Sequence, residues 1–121
     1  MKIILSALII GLAAGLLGAL CGVGGGIIMV PAFVGMLGLA HKNAVATSMA
    51  VIVVTAAAAT INNATDESKL IDWKIVGITA VTAALAAWYG SDLMRSLNNQ
   101  TLTRIFGVLL IALGVKMLWK P

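Results

Sequence analysis

Residues 3–40 contain no charged side chain, and the glycines at 22, 24, 25 and 26 interrupt this otherwise apolar stretch. As one straight helix it would be about 57 Å long, against a hydrocarbon core of about 30 Å. The chain must therefore turn back. Gly22-Val23-Gly24-Gly25-Gly26 is the place to do so, because glycine leaves the backbone dihedrals unhindered.

The rest of the chain demands the same solvent. Of 121 residues, 61% are hydrophobic and 10% charged, with a mean hydropathy of +1.09. Eight basic and four acidic side chains cannot form the polar shell of a soluble globule, so the chain reads as an integral membrane protein. The basic residues stand singly near the ends of apolar segments, a pattern of anchoring rather than of a nucleic-acid surface. One cysteine, Cys21, excludes an internal disulfide, and with one histidine, His41, there is no metal-ligand cluster. No acid–base constellation suggests an enzyme, and no catalytic residue, metal or cofactor is expected. Cys21 could be a lipoprotein cysteine or a reactive thiol. Leu20 before it is the wrong residue for lipoprotein processing, and a structural thiol is the commoner role.

Five apolar segments emerge, at 3–20, 27–40, 44–61, 73–90 and 102–119. The last three are long enough to span a bilayer. Trp73, Trp88, Tyr89 and Trp119 lie at segment ends, where amphipathic rings favour the headgroup region. The expected fold is an all-α membrane protein: a short glycine-hinged hairpin followed by three transmembrane helices, in a single domain over 1–121. Gly11, Gly15, Gly18 and Gly22 follow one face of the first helix, and Gly107 and Gly114 one face of the last, as small residues do where helices pack closely.

The second segment is too short for a full span, so the turn can lie inside the membrane as a re-entrant tip. Non-helical backbone at that depth is tolerated only against protein or a wet cavity. The helix after the turn then aims its N–H groups and positive dipole end into that space, a place for an anion. A tight packed turn without a ligand is the other reading. His41, Ser48, Thr55 and Asn62 recur at seven-residue intervals as a polar stripe, with Thr47 beside it. These hydroxyls either offer donors to an oxyanion or bond the preceding turn of their own helix. No charged residue falls in the middle of any segment, which leaves neutral donors and helix ends to form a site.

The run from Gly22 through Gly24, Gly25 and Gly26 to Pro31, then Ala44-Val45-Ala46-Thr47-Ser48, then Asp72-Trp73, resembles one repeat of the sulfite exporter TauE/SafE family of membrane permeases. The closing stretch from Arg104 to Gly114 is similar to that family's last helix in each repeat. The resemblance implies transport of a small sulfur-containing oxyanion, sulfite or an organosulfur acid, across the cytoplasmic (inner) membrane by a multi-pass protein. It puts substrate-binding weight on Gly22, Gly24, Gly25, Gly26, Thr47 and Ser48, with Pro31 as a structural hinge; the polar stripe adds Thr55 and Asn62. Members of the family carry two such repeats, whereas one is present here, which implies a second copy as partner.

Topology bears on that partner. If the hairpin returns to its starting side, Lys2, Lys42, Arg95 and Arg104 face one side and Lys69, Lys74, Lys116 and Lys120 the other. The positive-inside rule cannot break that tie, which suits an antiparallel homodimer recreating an inverted repeat. A single broken span over 3–40 would instead favour a parallel dimer. Besides an oxyanion permease, an anion channel of other selectivity, such as for fluoride, and a non-transporting assembly partner fit the same residues. A cationic drug exporter is disfavoured by the absence of Asp or Glu from residues 2–40.

Overall fold

The computed structural model describes residues 1–120, and all their regular structure is helical: α1 (Lys2–Cys21), α2 (Gly26–Leu37), α3 (His41–Ala64), α4 (Trp73–Ser96) and α5 (Asn99–Trp119). Four of the helices outrun the apolar segments, most of all α3 to α5, while α2 ends at Leu37, three residues short of its segment. Hydropathy marks the part of a helix that needs hydrocarbon, while backbone hydrogen bonding continues into the polar interface. Capping then sets the ends. The Asp72 carboxylate accepts from the N–H groups of Lys74 and Ile75 to start α4, and Asn98 accepts from Thr101 to start α5. Asp72→Ala should cost about 1 kcal/mol, visible as faster amide exchange over the first turn of α4.

α1 ends in a Schellman-type cap. Gly22 is left-handed at φ 68°, and the N–H groups of Gly22 and Val23 both donate to the Gly18 carbonyl. Gly24 and Gly25 are left-handed too, at φ 67° and 79°, and α2 starts immediately after them. Three left-handed residues within four positions reverse the chain, which only glycine does at little cost. Gly38 repeats the device between α2 and α3. Pro31 lies inside α2 without ending it. Its missing N–H leaves the Ile27 carbonyl without its helical donor, a local weakness in an otherwise regular helix.

The core lies among α1, α2 and α3, where Ile10, Ala14, Met29, Val30, Phe33 and Ala44 are buried, with Phe106 of α5 packed against it. Of the glycine face on α1, only Gly18 makes a close approach: a Cβ there would stand 2.5 Å from the Gly25 nitrogen. Gly11, Gly15, Gly107 and Gly114 have open space where a side chain would be, so the expected packing stripes reduce to this one crossing.

α1, α3 and α5 are the described helices long and apolar enough to cross a membrane, with α2 a shorter apolar helix. Three spans were expected, but with the helix at 73–90 among them instead of the first. α4 is 24 residues long, yet carries Lys74, Asp92 and Arg95. It nonetheless returns from one end of the bundle to the other. The Lys42 ammonium donates to the Arg95 carbonyl at 2.9 Å, and the Lys42 N–H to the Asn99 side chain at 3.2 Å, pinning the α4–α5 corner to the start of α3. No residue of α4 or α5 is buried, and α4 lies against none of its neighbours along its length.

Candidate functional site

The depth of the glycine turn follows from its contacts. A Cβ on Gly24 would meet Ile52 Cγ2 at 3.0 Å and one on Gly26 would meet Ile52 Cδ1 at 3.0 Å, so the turn lies level with Ile52. That residue stands about 16 Å along α3 from His41 and about 18 Å from Ala64, at 1.5 Å per residue. α2, with 12 residues, climbs about 18 Å from the turn back to the His41 end. The start of α2 therefore stands level with the middle of α3, a helix long enough to cross a membrane.

Because α2 starts half-way along α3, space is left on both sides of the turn. Toward the Ala64 end, a groove of about 220 Å³ runs between α1 and α3, lined by small residues with Thr55, Thr60 and Asn63 as its polar groups. Toward the His41 end, a cavity of about 370 Å³ lies among α2, α3 and α5, almost wholly apolar, with His41 and Ser48 as its polar side chains. The turn and Ile52 stand between the two. Asn63 also borders a pocket with Asp66 and Lys69 at the far mouth of the groove. There, hydrogen bonds from the Ser68 N–H and hydroxyl hold the Asp66 carboxyl below its usual range.

The expected site residues divide between these spaces. Gly22, Gly24 and Thr55 line the groove, while Gly26 and Ser48 line the cavity. Gly25 is buried and packed: a Cβ there would stand 2.7 Å from the Ala14 carbonyl oxygen and 2.9 Å from Met29 Cε. It closes the hairpin against α1, and a ligand has no room beside it. Thr47 and Asn62 are exposed and line neither space. Ser48 donates to the Val45 carbonyl at 2.8 Å and Thr55 to the Ile52 carbonyl at 3.2 Å. Each hydroxyl proton is thus held by its own helix, and must rotate away before it can serve an anion.

Sequence reasoning missed Ala59, Thr60 and Asn63. The groove follows α3 at the four-residue spacing of 55, 59 and 63, with 56 and 60 beside them, so the seven-residue stripe marks only its edge. What the groove offers is neutral: the Asn63 amide, the Thr60 hydroxyl and glycine backbone. No carboxylate lines either space. Among the described residues no three His, Cys, Asp or Glu side chains gather as metal ligands. Cys21 is exposed beside the turn.

The family model described as Sulfite exporter TauE/SafE matches residues 2–120. The chain is similar to the probable membrane transporter protein YunE of Bacillus subtilis, 30% identical over 92% of this chain and 40% of that protein. It is also similar to a probable membrane transporter protein of Haemophilus influenzae, 33% identical over 94% of this chain and 45% of that protein. The chain thus spans less than half the length of these relatives. No solved structure matches. A family model that covers residues 2–120, almost the whole chain, makes the protein a member of the TauE/SafE family of membrane transporters.

Proposed function

We propose that this chain forms half of a permease for a small sulfur-containing oxyanion, sulfite or an organosulfur acid, in the cytoplasmic (inner) membrane, and that a second copy supplies the other half. The observation that carries this reading is the glycine turn level with the middle of α3, with a space on each side. Alternating access needs a thin barrier with a vestibule toward either face, and broken or re-entrant helices provide it in transporters built from inverted repeats. Neutral donors and the start of α2 suit an anion better than a cation.

The homodimer has its own support. The groove occupies the half of the bundle that α2 does not reach, where an inverted copy could bring its own turn. α4, without a buried residue, has a face free for such a copy. The two ends of the bundle carry equal numbers of basic residues, which permits both orientations and so an antiparallel pair.

Thermal unfolding of the detergent-solubilised protein across sulfite, thiosulfate, a taurine-like sulfonate, sulfate and fluoride tests the substrate class. The expected result is a rise in Tm with one of the sulfur anions, reduced by Asn63→Leu. A rise with fluoride alone would favour the channel reading. Stable dimers without flux of any anion in proteoliposomes would favour an assembly partner. A C-terminal reporter active on one side of the membrane tests the orientation, and signal from a single side rules out the antiparallel pair.

A further inference from the structure

We propose that His41 is the proton-carrying group of this protein, the residue through which a proton is bound together with the transported anion; this inference rests on the transport reading above. His41 opens α3 and is only 7% exposed, its ring set edge-on against Phe106 with centroids 5.7 Å apart. Its Nε2 is buried and has no hydrogen-bond partner. A side chain there for packing alone would be better made of carbon, because a buried polar atom without a partner costs free energy that an apolar one does not. A buried, ionisable residue in a membrane bundle calls for a functional reason.

Its position supplies that reason. On one side His41 lines the apolar space that runs down α3 past Ser48 to Ile52 and the turn. On the other it lines an open pocket of about 490 Å³ with Asn99, Gln100, Thr103 and Arg104. No other residue borders both spaces. The imidazole thus stands where an open vestibule, with Asn99, Gln100, Thr103 and Arg104 on its wall, meets the apolar space along α3. With two ring nitrogens, it can take a proton from vestibule water at one and give it up from the other to water or to the anion held beside it.

The charges around it indicate what travels with the proton. α5 presents Arg104 to the vestibule. The next residue on α3, Lys42, turns its ammonium to the Arg95 carbonyl at the end of α4. Asp92 on α4 is engaged with Arg95 at 3.5 Å. α2 and the 38–40 connection carry no titratable side chain. No free carboxylate faces the ring, so the counter-charge for an imidazolium has to come from outside the chain. An anion in the vestibule or the cavity provides it. Anion and proton then favour each other's binding, and the coupling is reciprocal.

One histidine in the chain makes the test direct. Protein labelled with ¹⁵N-histidine, in lipid nanodiscs, gives one imidazole spectrum to titrate with and without sulfite or a taurine-like sulfonate. The expected result is an upward move of the midpoint by about one pH unit when the anion is present, a tenfold linkage within the range usual for coupled sites. A midpoint that none of these anions moves overturns the inference, whatever the transport assays give. In proteoliposomes, anion exchange by the wild type should vary at least about fivefold across the range in which histidine titrates, about pH 5 to 8, and His41→Gln should flatten that profile. A merely structural role would lower the rate at every pH and keep the profile's shape, which would also overturn it. If no sulfur anion is exchanged yet the midpoint moves, the transport reading fails and the paired binding of proton and anion stands.

Discussion

Gly25→Val removes the folded hairpin, whereas Gly22→Ala leaves it intact and only weakened. Both glycines are left-handed, at φ 79° and 68°, so any side chain costs about 1–2 kcal/mol in backbone strain at either position. Their surroundings differ. A Cβ at Gly22 meets nothing within 4 Å, while at Gly25 it meets the Ala14 carbonyl oxygen at 2.7 Å. That oxygen belongs to helix backbone and cannot step aside as a flexible side chain would. Overpacking adds about 1–3 kcal/mol at Gly25, more for a branched side chain. The combined loss of about 2–5 kcal/mol is a large part of the stability of an ordinary domain. Thermal unfolding in detergent should show Gly22→Ala with a modestly lowered Tm and Gly25→Val without a cooperative transition. Equal losses at the two sites would mean that the crossing of α1 by the turn does not hold the hairpin. The same contact explains why a Gly25 variant cannot report on ligand binding: its defect lies in packing.

The second large effect is expected in transport with the fold preserved. Ala59→Phe places an aromatic ring in the groove, where Ala59 is half-buried and faces open space. With a volume of about 220 Å³, the groove holds the ring without forcing its walls apart, so stability should change by no more than about 0.5 kcal/mol. Flux of sulfite or a sulfonate into proteoliposomes should fall to background, because the path from the turn to the Ala64 end is filled. Ala58→Phe, on the exposed side of the same helix turn, is the control and should transport like the wild type. Equal flux from Ala59→Phe would place the path outside this groove.

The fold class was legible because membrane solvent simplifies the chain's choices. Where backbone groups cannot bond to water, apolar segments become helices, and a charge-free stretch of residues 3–40 must break where glycine allows. Helix limits were less legible: α3 continues to Ala64 and α4 to Ser96, past the residues that hydrocarbon selects. α4 shows the opposite limit of hydropathy. It is not among the helices long and apolar enough to cross a membrane, yet Lys42 fixes its end beside the start of α3.

The site was legible in part, for a geometric reason. A seven-residue period along α3 picks out His41, Ser48, Thr55 and Asn62, but the face that borders the groove depends on where α1 crosses α3, and nothing in the α3 sequence records that. Asn63 therefore lines the groove while Asn62 does not, and Thr47 is left outside both spaces. Ser48 and Thr55 carry the expected hydroxyls, but each donates to a carbonyl three residues back.

The sequence by itself determined the solvent, the helical class, the place of the reversal and its family. These follow from composition and from single-residue backbone freedom, which are local properties. Only the tertiary structure decided the depth of the turn, because depth is a register between α2 and α3, read from the contact of Gly24 and Gly26 with Ile52. It also separated the glycines by role, with Gly25 buried in the crossing against α1 and Gly22 and Gly24 facing a groove. The setting of His41 is tertiary for the same reason: it exists because α5 brings Phe106 and Arg104 to the start of α3, from more than sixty residues away in the chain.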